Sequence, residues 1–555
     1  MSLRVLLVHA NPFQRVTPVP PYGLERVRAG AEAAGAQVEI LDPYLLSATP
    51  VEAAAEAAAR MRPGVIGLGL RVVEDCIVVD RLEGDEASPY DLTWFMPEIR
   101  RLRHALAAAA PDALFVLGGA AFSAMPGECL DYLGVEYGVV GAGESAFPEL
   151  LRRVVAGRPL DGVPGLVRRG EADPLAAYGF ALGGPVHREP LYAPVNSVPV
   201  RTRSGCAMAC AYCLTANVRR RYAAGAVDEV VDELETAVRE ASDRGVSRVP
   251  VFFADDELNL PSDRHTIAVL REIEQRGLSP NLRWRAYFNP VPFSDELAEL
   301  VRATNGHVSV TVDTAAEAVM ARAQKPFRRR HLDALVGTLT RYEIPADLNL
   351  IFGLPGESEE TLTETVAFVR SLPRELDVVY SSGARVYPHT PLASIARAEP
   401  ERVYGDDPDF FEPTFYSSPL PPRALARRLA DEFAGMDNVR LVGVGFGSAR
   451  TTMSDAYRAV VDGDGRGGWN AALREAERPG DYERTPGEAL AALAQLAIWH
   501  RRFDFAARAF GRLALQRQLP AGVTRRQVWL ARAGCAALAL ADRVKRGAKT
   551  GVRPR

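Results

Sequence analysis

Cysteine is scarce in this chain: 6 among 555 residues, against 46 glycines and 40 prolines. So few thiols in so long a chain do not make a disulfide framework, the device on which small secreted domains rely. An excess of one charge is missing too. Lys and Arg number 66 against 70 Asp and Glu, a formal net charge of −4. Neither a nucleic-acid surface nor an acidic polymer is indicated as a partner. No apolar run approaches the ~20 residues needed to span a bilayer. The first residues, LRVLLVHA, read as a strand and not as a signal peptide. The expectation is a cytoplasmic protein with no nucleic-acid and no membrane partner. In that compartment structural disulfides are rare, so clustered cysteines point to metal ligands or redox thiols.

What is present is an α/β pattern. Hydrophobic residues at 47% and charged residues at 25% suit a soluble protein with several cores. Across residues 1–160, five apolar strand-like segments alternate with helical ones, which predicts a parallel sheet buried on both faces. A flavodoxin-like, Rossmann-type domain places its ligand beyond the carboxyl ends of such strands. Two glycine turns fall at those ends: Gly118 with Gly119, and Gly141 with Gly143, followed by Glu144. Residues 161–196, rich in Pro and Gly, read as a linker. Residues 197–400 carry six further strand–helix units, predicting a partial (β/α)6 barrel of the TIM type with its chemistry at the carboxyl ends. Residues 401–555 read as mostly helical.

Half of the cysteines occupy one loop. Cys206, Cys210 and Cys213 lie in the stretch RSGCAMACAYCLTA, directly after the first strand of the second series. Spacings of three and two intervening residues turn three thiolates toward one point, and thiolates are the soft ligands of iron–sulfur clusters. Zinc needs a fourth ligand, which the nearby sequence does not offer; a distant residue would have to supply it. Three cysteines on a four-iron cluster leave one iron open.

Cys206-Ala-Met-Ala-Cys210-Ala-Tyr212-Cys213 resembles the CxxxCxxC motif of radical SAM enzymes. The resemblance extends over about residues 197–395. FFADDELN (252–259) is similar to the acidic end of the second barrel strand. NLIFGLPGES (349–358) is similar to the fifth, YPHTPL (387–392) to the sixth, and VTVDT (310–314) with Lys325 to the fourth. It implies a [4Fe-4S] cluster on the three cysteines and S-adenosyl-L-methionine (SAM) on the open iron, with Tyr212 packed beside them. It further implies that Asp255, Asp256 or Glu257 engages the SAM amino group. Gly353, Pro355 and Gly356 would line the SAM site.

A flavodoxin-like domain ahead of such a barrel resembles the cobalamin-binding branch of the radical SAM family. The branch implies cobalamin over Gly118, Gly119, Gly141, Gly143 and Glu144. It also implies transfer of a methyl group from SAM, by way of methylcobalamin, to a small substrate, with an external electron donor. The DxHxxG motif that supplies a lower cobalt ligand is absent, and His9 reads as an ordinary polar residue at a strand end. Arg71, at the end of the third strand, either faces the lower side of the corrin or pairs with Glu74 or Asp75. Within the branch, the arrangement resembles the tryptophan 2-C-methyltransferases of thiopeptide antibiotic biosynthesis, with Glu257 placed to meet the open iron. Tyr287, Phe288 and Tyr387 are candidates to stack on a planar substrate, and Trp499 and His500 to cap the barrel. A rearrangement or cyclisation initiated by a 5′-deoxyadenosyl radical is the alternative activity. A non-catalytic corrinoid or cluster carrier is a second alternative, which a full set of SAM motifs disfavours.

Overall fold

A computed structural model describes residues 2–12, 19–47, 49–74, 94–171, 186–188, 192, 197–215, 222–244, 246, 248–442, 459–460, 466–476, 486–516, 519 and 524–550. Val5, Leu6, Leu7 and Val8 form an unbroken apolar run in β1 (Arg4–His9), and all four are buried. A strand apolar on both faces belongs inside a parallel sheet. β1 pairs in parallel with β2 (Gln37–Leu41) and β3 (Val65–Gly69). β4 (Leu114–Gly118) and β5 (Tyr137–Val139) complete the order β2-β1-β3-β4-β5, the doubly wound topology expected of a flavodoxin-like domain. From the stretch read as linker, β6 (Leu166–Arg168) adds an antiparallel edge beside β5.

The second sheet starts at β7 (Val198–Val200). A short hairpin, β8 (Arg203–Ser204) with β9 (Ala223–Ala224), interrupts the chain before it returns. β10 (Val249–Phe253), β11 (Leu282–Phe288), β12 (Gly306–Asp313), β13 (Ala346–Phe352) and β14 (Asp377–Ser382) then line up in sequence order. All neighbours are parallel, and helices intervene, as in a barrel. Along β11, Trp284, Ala286 and Phe288 are buried against the helices, while Arg283 and Tyr287 on the other face are exposed. This is period-two alternation between the helix layer and the barrel lumen. The helices follow their own rule. Ser294, Ser358 and Thr390 each cap one, accepting from the backbone N–H of Leu297, Thr361 and Ala393.

After β14 the chain breaks at Gly383, whose φ of +82° turns it out of the barrel sheet. Ala384–Arg385 becomes β15 and joins an antiparallel sheet with β16 (Val403–Tyr404) and β17 (Phe415–Tyr416). Beyond residue 400, where the sequence placed the barrel's end, β18 (Val439–Leu441) adds a seventh parallel strand beside β14. The sheet order runs from β18 to β7 without closing on itself.

Carboxyl-terminal helices at Arg466–Glu475, Pro486–Trp499, Phe503–Leu513 and Arg525–Thr550 pack around their own core, where Trp469 stacks on Phe505 at 5.0 Å. That core also takes in Leu45 and Tyr192 from the amino-terminal side. Trp499 lies under the guanidinium of Arg244, 4.2 Å from the ring centroid. Arg244 ends the helix that precedes β10, so Trp499 sits at the amino end of the strands, opposite the cysteine loop. No described helix is long and apolar enough to cross a membrane.

An ionic seam joins the two sheets. Glu144 of the first domain accepts from Arg201 at 2.5 Å and from Arg26 at 3.4 Å. Glu233 of the second accepts from Arg188 at 2.7 Å and from the Tyr22 hydroxyl at 3.3 Å.

Candidate active site

Cys206 and Cys210 are buried and Cys213 half-buried, on the loop that leaves β8. Backbone bonds fasten this loop to the barrel: Ala211 N–H donates to Ala323 O at 3.0 Å, and Leu392 N–H to Ala211 O at 2.9 Å. Tyr212, between two of the cysteines, donates its hydroxyl to Asp313 at the end of β12. Lys325, buried, meets the same carboxylate at 2.6 Å. Burial pushes the Cys206 thiol up to about 12. Burial also lifts Cys210 to about 11, with the Lys325 ammonium pulling against it. Ligation as thiolates therefore releases protons. The donor set, three thiols with a cation behind them, suits an anionic iron–sulfur cluster. Among the described residues no three Cys, His, Asp or Glu side chains, the three cysteines included, are already drawn together around one point.

The three consecutive acids beyond β10 separate in role. Asp255 turns back onto the exit of β7, accepting from Thr202 N–H at 3.0 Å, Thr202 Oγ1 at 2.8 Å and Arg203 N–H at 2.9 Å. Burial raises its carboxyl to about 6, against Arg203 and these donors. Its oxygens are committed to holding the start of the cysteine loop. Glu257 is buried; Oε1 accepts from Thr311 Oγ1 at 2.6 Å and Oε2 has no partner in the protein. Burial raises its carboxyl to about 8, and it acts electrostatically on both Cys206 and Cys210. Asp256, half-buried, acts on Cys206 as well. Glu257 and Asp256 thus come together with the cysteines, and Asp255 supports them from behind.

At the end of β13, Pro355 is buried and Gly356 exposed. Gly353 has φ +95°, and a Cβ there would meet Ser417 Oγ at 2.8 Å and Gly383 N at 3.1 Å, so the turn admits only glycine. Its N–H donates to Glu357, whose Oε1 is left without a protein partner. Burial raises the Glu357 carboxyl to about 8. Two buried carboxylates with orphan oxygens therefore stand at the ends of barrel strands, where a polar cofactor such as SAM would complete them.

The carboxyl ends of the first sheet carry the other half of the site. In the order β2-β1-β3-β4-β5 the crevice opens between β1 and β3, and Asn11 and Arg71 follow these two strands. Asn11 is fully buried, with both amide atoms lacking a protein partner. Gly118 is open, because a Cβ there would find nothing nearer than Val139 O at 4.0 Å. Gly119 is different: φ is +102°, and a Cβ would stand 2.4 Å from Leu70 O. Ser123 ties the two glycine turns, donating to Gly119 O at 2.8 Å and accepting from Gly141 N–H at 3.0 Å. Gly143 packs on Val27. An orphan amide and an open glycine at the strand ends fit a large amide-rich cofactor such as cobalamin. Glu144 opens the helix Gly143–Val155 as expected, but its carboxylate is engaged in the ionic seam. His9 is held by Asp42 at 3.1 Å, and Tyr192 donates to the same carboxylate.

Arg71 is exposed, yet desolvation lowers its guanidinium, and Tyr287 of the barrel acts on it electrostatically. Tyr287 is 38% exposed and edge-on to Phe252 at 5.9 Å. Arg71 of the first domain and Tyr287 of the barrel are thus within electrostatic reach of one another. Glu74 pairs with Arg385 at 2.7 Å, and Asp75 lies outside the described residues. Phe288 is buried beside Trp284 and Phe293 in the barrel wall, while Tyr387 packs against the first domain's core. Sequence reasoning missed Asn11 and Ser123, and within VTVDT (310–314) it did not single out Thr311.

Residues 14–151 match the model of the B12 binding domain, and residues 200–369 that of the radical SAM superfamily. The tryptophan 2-C-methyltransferase of Streptomyces laurentii is 26% identical over 460 residues, 69% of this chain and 73% of that protein. The radical SAM methyltransferase TsrM from Kitasatospora setae, solved with tryptophan and a SAM analogue, superposes with a TM-score of 0.66. It is 26% identical, and the match covers 79% of this chain and 90% of that one. The cobalamin-dependent SAM radical enzyme OxsB shares the fold, with a TM-score of 0.60 at 11% identity over 97% of this chain and 84% of its own. The chain joins a B12-binding domain to a radical SAM domain, the arrangement of the cobalamin-dependent radical SAM enzymes.

Proposed function

We propose that this protein is a methyltransferase that moves a methyl group from SAM to an unactivated carbon of a small substrate, with C2 of the tryptophan indole as the favoured acceptor. The observation that carries the proposal is the set of buried polar groups without protein partners at the strand ends of both domains, Asn11 in the first and Glu257 and Glu357 in the barrel. When bound, cobalamin supplies a cobalt that takes up and hands on the methyl group. The first domain would receive it over Asn11, Gly118 and Gly119, with Arg71 facing its lower side. A guanidinium there would occupy the place of a lower ligand, and His9, the described histidine at the end of β1, is engaged by Asp42. Cys206, Cys210 and Cys213 would hold the [4Fe-4S] cluster. Asp256 would orient the SAM amino group, Glu257 would approach the open iron, and Gly353, Pro355 and Gly356 would line the adenosine. Tyr287 offers an aromatic face and a hydroxyl to a planar substrate. The tryptophan assignment draws on the two relatives named for tryptophan, which match 69% and 79% of this chain.

The test is anaerobic turnover with SAM, hydroxocobalamin, a reductant and L-tryptophan, read by mass spectrometry. The expected result is a product heavier by one methyl, accompanied by S-adenosylhomocysteine and no 5′-deoxyadenosine. 5′-Deoxyadenosine without S-adenosylhomocysteine would instead establish a radical rearrangement or cyclisation. Untouched tryptophan with turnover of another indole or amino acid would keep the methyltransferase and reassign its acceptor.

A further inference from the structure

Arg385 lies on β15, in the small sheet beyond the sixth barrel strand, and is buried. Its Nε meets Glu74 of the cobalamin domain at 2.7 Å, and the two side chains are 5% and 1% exposed. The rest of the guanidinium binds main-chain carbonyls: Nη1 donates to Val386 O, to Phe410 O at 3.1 Å and to Thr414 O at 3.4 Å, and Nη2 to Phe411 O at 2.9 Å. Phe411 in turn enters the first domain's core, packing edge-on to Trp94 at 5.8 Å and against Tyr132 at 5.8 Å. Trp94 forms the bridge partner of Glu74, and Phe95 N–H donates to Val73 O at 2.8 Å. One guanidinium thus grips the short segment Arg71–Glu74 from two sides, through the Glu74 carboxylate and through the loop that wedges Trp94 against it. Arg71 stands three residues from Glu74, at the other end of that segment, within electrostatic reach of Tyr287 of the barrel.

We infer that Arg385 is a positioning residue for Arg71. By clamping Glu74 and the Phe410–Phe411 loop, the barrel sets the height at which the Arg71 guanidinium meets the lower side of bound cobalamin. A fork of donors is suited to this task because it fixes direction as well as charge. A bulk hydrophobic contact would hold the domains together and leave the segment free to rotate. The inference rests on the placement of Arg71 proposed above.

The experiment loads the full-length protein with cobalamin and cluster and records the electron paramagnetic resonance spectrum of the cob(II)alamin state. Wild type is compared with Glu74→Gln, Glu74→Asp, Arg385→Lys and Arg71→Ala. Iron content and circular dichroism identify the variants that fold. The expected result is that Arg71→Ala changes the cobalt spectrum by admitting a lower ligand, and that each folded clamp variant changes it in the same direction. The double variant Arg71→Ala/Glu74→Gln should change it no further than Arg71→Ala alone. Methyl transfer should fall about tenfold or more in each, the scale of losing an outer-shell partner of a metal site. Clamp variants that melt earlier but keep the wild-type spectrum, while Arg71→Ala shifts it, would make Arg385 a purely structural tie and overturn the inference. An unshifted spectrum in Arg71→Ala would overturn the placement of Arg71 itself, and the inference with it. Arg385→Lys failing to fold leaves the two Glu74 variants to decide.

Discussion

The phenol of Tyr212, set between two of the cysteines, donates its hydrogen bond to Asp313, and Lys325 holds that same carboxylate at 2.6 Å. The link runs from the cysteine loop to the fourth barrel strand and, through Lys325, to the loop after it. Its two ends are unequal. Tyr212→Phe removes one donor and leaves a carboxylate that still has its ammonium, a loss of about 1 kcal/mol. Lys325→Met strips the cation from beside Asp313 and Glu257, both buried, and should cost about 3–5 kcal/mol. Iron and sulfide per chain after anaerobic reconstitution should stay near wild type in the first variant and fall sharply in the second. Equal losses in both would show that Lys325 contributes no more than the hydrogen bond.

Gly118 and Gly119 are adjacent and both glycine, yet only one is required by the fold. Gly119→Ala forces a positive φ on a side chain and drives its Cβ into Leu70 O, a cost of about 1–3 kcal/mol for the strained backbone alone. Gly118→Ala meets nothing nearer than 4.0 Å and should leave the melting temperature unchanged. Cobalamin affinity, measured on the folded proteins, should nonetheless fall for Gly118→Ala, because the new methyl stands in the space assigned to the cofactor. Undiminished affinity in that variant would move the cofactor away from the β4 turn.

Glu257 and Asp255 make a third contrast. Asp255→Asn removes the acceptor that holds Thr202 and Arg203, so the start of the cysteine loop loosens and both stability and iron content fall. Glu257→Gln keeps the bond from Thr311 and, because burial raises the Glu257 carboxyl to about 8, replaces a group that is largely neutral at pH 7, so stability should hold. Methyl transfer should fall in both, but only Glu257→Gln should do so with full iron content and an unshifted melting curve.

The legible parts of this molecule were those written locally. Three thiols in one loop announce a cluster because the ligands are near neighbours in the chain. The apolar runs at 5–8 and 65–70 announce a parallel sheet because burial on both faces leaves no polar residue to alternate. What stayed hidden depends on chain crossings. Glu74 and Arg385 are 311 positions apart, and nothing near either marks it as half of a pair. Ser123 is one serine among several until β4 and β5 bring both glycine turns beside it. Asp255, Asp256 and Glu257 look equivalent in a row, but a chain leaving a strand turns successive side chains to different faces. Only the fold decides that the first acid faces β7 and the third faces Thr311.

Asp347 offers a test that reads the barrel and not the cofactors. Its Oδ1 receives Arg285 at 2.9 Å, His307 at 2.7 Å and Ser309 at 3.0 Å, and Asn349 reaches Oδ2 at 2.9 Å. Burial alone would raise this carboxyl, but the His307, Arg285 and Ser309 donors outweigh it and hold it below its ordinary value of 3.8. A folded-state value below the unfolded one contributes stability that is complete above the unfolded value and drains away as pH falls toward the folded one. Urea midpoints should therefore be independent of this group from neutral pH down to about 4, and then fall as Asp347 takes up its proton. Asp347→Asn should start lower, by about 1.5–3 kcal/mol for losing hydrogen bonds to a charged acceptor. The same variant should decline less steeply below pH ~4, because its side chain has no proton to bind. Parallel acid limbs in wild type and variant would mean that other carboxylates govern the decline and that the lumen network contributes no pH dependence.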